Sequence, residues 1–160
     1  MSTNDETAKV AELLKQFRIA MLITTDTDGT LISRPMAVQE AEFDGDLWFF
    51  AKRDSREVAQ ITARPAVGVA LSSSSSWVSV SGDAEIVHDQ AKAKQLWNSA
   101  VEAWFPEGPE DENIVLIKVH ADGAEYWDSA GSRLTTLLSY AKSKVTGQRP
   151  DLGENERVEL

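Results

Sequence analysis

At 160 residues, 42% hydrophobic and 26% charged, the chain has the make-up of an ordinary globular protein long enough to bury a real core. A net charge of -10 weighs against nucleic acid and anionic membranes as partners, and the absence of cysteine excludes disulfides, thiolate catalysis and zinc–thiolate sites. No apolar run approaches the ~20 residues that span a bilayer, and MSTNDETAKVAELLKQFRIA lacks the regions of a signal peptide, so a cytoplasmic location is expected.

The first 18 residues hold an expected amphipathic helix, from Asp5 to Arg18, with Val10, Leu13, Leu14 and Phe17 at helical spacing. IAMLITT then reads as a β-strand ending at the turn signal DTDG, and TLISRPMAV as its successor. Pro35 in that second strand marks a position where the ladder does not need an N–H. Asp44-Gly45 predicts a hairpin turn into DLWFFA, which would place Arg34 on a strand adjacent to the Trp48-Phe49-Phe50 run. In DSRE, Asp54 and Glu57 have the spacing of a capping box, opening a helix that stops before Arg64-Pro65.

AVGVALS and SWVSVSGDAEIVH predict two further strands. Asp89 caps an expected helix through Leu96, Trp97, Val101 and Trp104. IVLIKVH and GAEYWD read as a strand pair turned at Ala121-Asp122-Gly123, and residues 134–160 as a C-terminal helix dissolving into a polar tail. Tight turns between consecutive strands predict antiparallel pairing in one mainly β, barrel-like α+β domain over residues 1–160.

Recognisable enzyme motifs are missing: no G-x-S-x-G, no H-E-x-x-H, no G-K-[ST] phosphate loop and no G-x-G-x-x-G. His88 and His120 are isolated and read as surface groups, so no metal site is expected, and nothing marks a catalytic acid or base. What stands out is a cationic cluster in an acidic chain. Arg34, Lys52, Arg53 and Arg56 are four of the 16 Lys and Arg, gathered around two strands and a helix start. Guanidinium forks, a hydroxyl from Ser55 and the free N–H groups of a helix N-terminus are the donors of a phosphate cradle. Surface cations beside a core aromatic run remain the alternative at this point.

The segments DGTLISRPMAV, DGDLWFFAKRDSREVAQITARPAVGVALS, WVSVSGDAEIV and AEYWDS, in this order and spacing, resemble the FMN-binding split-barrel family of pyridoxamine 5′-phosphate oxidase-like proteins, especially its general stress protein branch. The resemblance implies a six-stranded antiparallel split β-barrel with flanking helices, FMN as cofactor, and a homodimer with flavin sites at its interface. Ser33, Arg34, Pro35 and Met36 match the strand bordering the flavin ring and ribityl phosphate. Phe49, Phe50, Ala51 and Lys52 match the end of the next strand, and Ser55 and Arg56 the pair that holds the phosphate. Trp77 falls where the oxidases face the ring with a glutamine, and Trp127 matches a tryptophan that reaches the partner's flavin.

Departures bear on activity. Glu57 replaces a second cation, Gln39 a lysine near the substrate, and Thr135 a histidine after Arg133-Leu134. AKQLWNSAVEAW has no counterpart to the Tyr, Arg and Ser that hold a substrate phosphate. These differences argue against true pyridoxamine-phosphate oxidation. The implied function is FMN binding with oxidoreductase activity on an unspecified substrate. The alternatives are a non-catalytic flavin sensor or carrier, and a split barrel holding haem or a deazaflavin.

Overall fold

The computed structural model describes residues 3–39, 42–128 and 154–160. Helix α1 (Thr3–Leu14) buries Val10, Leu13 and Leu14, with Phe17 just beyond its end, the same stripe its spacing predicts. Strands β1 (Ile19–Thr25) and β2 (Leu31–Ala37) form a hairpin across Asp26–Thr30. β3 (Asp46–Lys52) leads into helix α2 (Arg56–Ala63), and β4 (Ala66–Ser72) and β5 (Ser76–Val87) form a second hairpin. Helices α3 (Gln90–Leu96) and α4 (Ser99–Trp104) precede β6 (Ile114–Asp128), and β7 (Glu154–Glu159) follows.

All pairings are antiparallel, in the order β2-β1-β4-β5-β6-β3, with β7 also on β6. β6 is the spine. Its residues 114–120 pair with β3 and its residues 123–128 with β7, so two strands share one edge end to end. The inner face carries Leu22, Val69, Val78, Val80, Val119 and Tyr126, all nearly inaccessible to water. Each large apolar group buried there is worth about 1.5–3 kcal/mol over exposure. A smaller cluster joins Phe50 to Trp97 and Phe105, the Phe50–Trp97 rings meeting edge to face at 5.5 Å.

The mainly antiparallel β architecture with flanking helices matches expectation, and four details depart from it. β2 and β3 are not a hairpin pair: they lie at opposite ends of the strand order. The Ala121-Asp122-Gly123 turn does not form either. β6 runs straight through, with Asp122 as the extra residue of a bulge opposite Ser81/Gly82. The expected helix from Asp89 to Trp104 breaks at Trp97, whose backbone is extended, and Asn98 restarts it by accepting bonds from the N–H groups of Ala100 and Val101. Finally, a seventh strand replaces the end of the polar tail, while the helix expected from residue 134 falls outside the described residues.

Candidate functional site

The turn end of the β1–β2 hairpin meets α2, which follows directly from the end of β3: Arg56 reaches Asp26, Gln60 reaches Thr24 and Arg64 reaches Thr27. Arg34 is directly opposite Leu22, so its side chain lies on the inward face of β2 near the split. There Nη2 donates to Gln60 Oε1 at 2.8 Å, and Nη1 to the Leu22 carbonyl at 3.3 Å. The Thr24 hydroxyl donates to the same Gln60 oxygen. Two donors converging on one amide atom identify it as the oxygen. Gln60 Nε2 is buried without a partner among the described residues.

Helix α2 starts one residue later than the capping-box spacing implies. Ser55, not Asp54, is the N-cap, and its side chain makes no capping bond. Its Oγ is instead buried with no partner among the described residues. An uncapped helix start leaves its first-turn N–H groups free and its positive dipole end unsatisfied, which favours an anion. Arg56, the first helical residue, reaches back to Asp26, Nη2 to Oδ2 at 2.9 Å.

Electrostatics agree with the geometry. Burial pushes the Arg34 guanidinium's pKa down; nearby Glu57 offsets this, and the positive charge of Arg56 adds to it. Two guanidiniums close enough to disfavour each other are an arrangement an anion relieves. The bond from Arg56 holds the Asp26 carboxyl below its ordinary range, helped by the Thr27 N–H. The donor set of two guanidiniums, one orphaned hydroxyl and open helix N–H groups fits a phosphate monoester.

The remaining expected residues sit elsewhere on this frame. Ser33 and Pro35 point outward from β2, whereas Met36 packs against the core. Phe49, Phe50 and Ala51 spend their side chains on the core, so only their backbone faces outward. Lys52 is exposed at the end of β3, where its carbonyl accepts the Ser55 N–H. Trp77 and Trp127 are direct cross-strand partners, 42% and 39% exposed, on the outer face of the sheet. One chain therefore gathers Arg34, Ser55 and Arg56 but holds the tryptophan pair on the opposite face.

Gln39 is buried and accepts a 3.3 Å bond from Asn98 Nδ2. It lines a groove of about 990 Å³ with Phe17, Phe43, Trp48 and Trp104. His120 bonds through Nδ1 to Asp46 at 2.9 Å on the surface, away from the cradle. Arg133 to Thr135 lie outside the described residues. Sequence reasoning missed Thr24, Asp26 and Gln60. The available signal was spacing: Gln60 stands four residues after Arg56, one turn along the same face of α2.

Comparison with known proteins places these features in context. Residues 5–151 match the family described as pyridoxamine 5′-phosphate oxidase like. The protein bli-3 of Neurospora crassa is 29% identical over 143 residues, which are 82% of this chain and 68% of that protein. Among solved structures, a general stress FMN/FAD binding protein from the phytopathogen Xanthomonas citri is 32% identical with a TM-score of 0.68, over 81% of this chain and 92% of its own. A general stress protein 26 from Jannaschia sp. CCS1 is 25% identical with a TM-score of 0.79, covering 98% of this chain and 99% of its own. With the matched segment taking in every strand from β1 to β6 and the whole anion cradle, the chain belongs to the pyridoxamine 5′-phosphate oxidase-like family.

Proposed function

We propose that this chain binds FMN through its phosphate, as a homodimer with the flavin sites at the interface, and acts as a flavin-dependent oxidoreductase of the general stress type. The observation that carries the reading is the buried, unpartnered Ser55 hydroxyl at an uncapped helix start flanked by two arginines. A phosphate monoester brings about two negative charges and three acceptor oxygens, enough to engage Arg34, Arg56, Ser55 and the first-turn N–H groups together. The FMN/FAD-binding relative from Xanthomonas citri supports a flavin as the molecule attached to that phosphate.

A bound flavin supplies the redox chemistry, and the chain supplies binding and orientation. Arg34 and Arg56 hold the phosphate charge, and the backbone of β2 from Ser33 to Met36 borders the ring. On the outer face, exposed Met21 stands beside Pro35 and Ala70, and exposed Trp77 pairs with exposed Trp127, a surface suited to a second copy of the chain. In that dimer the partner's Trp127 reaches the flavin. The segment AKQLWNSAVEAW across α3 and α4 has no counterpart to the Tyr, Arg and Ser pattern that holds a substrate phosphate, which argues against a phosphate ester as substrate there.

The first test is the visible spectrum of the purified protein, followed by titration of the apo chain with FMN and with riboflavin. Two flavin bands, and tighter binding of FMN than of riboflavin, are expected. A colourless preparation that takes up no FMN overturns the reading. Oxidation of a reduced nicotinamide by the holoprotein then separates an oxidoreductase from a carrier that binds without turnover.

A further inference from the structure

We propose that Gln60 is the positioning residue of the anion cradle: it aims Arg34 at the ligand and, being neutral, leaves the guanidinium's charge free to act there. This rests on the phosphate site proposed above and adds a residue to it. The two arginines are held in different ways. Arg56 is tied to a carboxylate, Asp26, whereas Arg34 is tied to an amide oxygen and a backbone carbonyl. The Arg34 partners fix direction without cancelling charge.

Several features of Gln60 go beyond packing. It is only 5% exposed, in a helix whose other buried face residues are Val58 and Ile61, where a leucine would bury more cheaply. Its Oε1 accepts from Arg34 and from Thr24, itself 1% exposed, so the amide is locked from the β1 side and aims the guanidinium from the other. Its Nε2 makes no full hydrogen bond among the described residues, although the Gln60 side chain helps hold the Asp26 carboxyl low, while Ser55 Oγ at the start of the same helix is buried with no partner among them. A buried hydroxyl without a partner is rare in folded proteins, and the one at Ser55 marks a place completed by something else next to the guanidinium that Gln60 aims. A neutral acceptor is also the only kind that serves here. A carboxylate at the same position would make the same bonds and repel the phosphate.

The test compares FMN with riboflavin, the same flavin without its phosphate, by calorimetric titration of the full apo chain, wild type against Gln60→Leu and Gln60→Glu. Thermal midpoints of the apo proteins report folding. Glu keeps an acceptor for Thr24 and Arg34, so Gln60→Glu remains folded even if Gln60→Leu does not. In each folded variant the FMN-over-riboflavin preference is expected to fall about tenfold, the scale of one hydrogen bond to a charged group, with riboflavin affinity changed less than about twofold. A merely structural role would weaken both flavins alike. Preference kept at the wild-type value in Gln60→Glu overturns the inference, as does parallel loss of both flavins. If the wild type itself binds riboflavin as tightly as FMN, the phosphate-site reading fails instead, whatever Gln60 does.

Discussion

The contact between Asp26 and Arg56 sets a carboxylate against the phosphate proposed for this corner, beside the second one that Glu57 brings near Arg34. Asp26 Oδ1 accepts the Thr27 N–H at 2.8 Å, closing its own turn, while Oδ2 takes Arg56. A phosphate must displace that second bond and then sit near the carboxylate's charge. Asn in its place preserves the turn through its side-chain oxygen and releases the arginine. Asp26→Asn is therefore expected to tighten FMN binding roughly two- to fivefold, the scale of a partly exposed ion pair, while riboflavin binding stays unchanged. Fluorescence titration of both flavins checks this. A loss of FMN affinity would mean that Asp26 orients Arg56 rather than masks it.

Between elements, the longest-range constraint is the bulge in β6. A Cβ on Gly82 would lie 2.0 Å from the His120 carbonyl oxygen and 2.9 Å from its carbon, and both of those atoms belong to backbone. Only a glycine lets β5 pass the extra residue Asp122 and keep its register on both sides. Gly82→Ala should cost at least ~3 kcal/mol in urea unfolding, among the larger single-residue effects. A cost below 1 kcal/mol, well under the ~3 kcal/mol expected, would show that the bulge relaxes easily.

A second prediction concerns α1. Lys9 Nζ binds Asp128 Oδ2 at 2.8 Å while the buried Ser76 hydroxyl donates to Oδ1 at 2.7 Å, tying the helix to the start of β5 and the end of β6. The bond from Lys9, with help from Ser76, lowers the Asp128 carboxyl from its ordinary 3.8 against the opposing effect of burial. A depressed carboxyl stabilises the fold above its unfolded pKa and loses that contribution as pH falls through the folded one. Lys9→Met is thus expected to cost about 0.5–1 kcal/mol at neutral pH, with wild type and variant converging below pH 3.8. Urea midpoints measured across that range would show a constant gap if the pair is not the cause.

These elements also show where sequence reading succeeds and stops. Strands β1, β4 and β5 were legible because alternation writes one buried face directly into the residue order. Asp122-Gly123 carries the local signal of a turn, but the requirement that cancels it sits forty residues earlier, at Gly82. β7, ENERVE, buries Val158 alone of its described side chains, so no apolar period announces it. At the site, Arg34, Ser55 and Arg56 were legible as donor types near a helix start. Thr24 was not, and Gln60 only through its spacing from Arg56, because the bond that joins them is a meeting of β1 with α2 that no local pattern encodes.

At the scale of the whole molecule, the outer face of β2, β1, β4 and β5 is unusual for a chain of net charge -10. Met21 is flanked in register by Pro35 and Ala70, Ala70 by Ser79, and Trp77 stands against Trp127 two residues along. From Met21 to Ser79 the patch carries no charge, Glu125 opposite Ser79 marking its border, its side chains are small or apolar, and Met21, Trp77 and Trp127 are exposed. A largely uncharged, apolar sheet face suits association of two copies about a two-fold axis, since each would offer the other the same small residues to pack upon. In the proposed dimer the opposite placement of Trp127 and Arg34 on one chain has a use, because the tryptophan of one copy would then meet the ligand held by the other. Ala70→Arg would place two like charges against each other across such an axis without touching the cradle. The wild type is expected to sediment as a dimer and Ala70→Arg as a folded monomer with unchanged far-ultraviolet circular dichroism. The monomer should bind FMN more weakly than the dimer while keeping its preference over riboflavin, because the phosphate donors stay within one chain. A monomeric wild type, or a dimer that persists in Ala70→Arg, would move the interface off this face and leave the tryptophan pair without a flavin to meet.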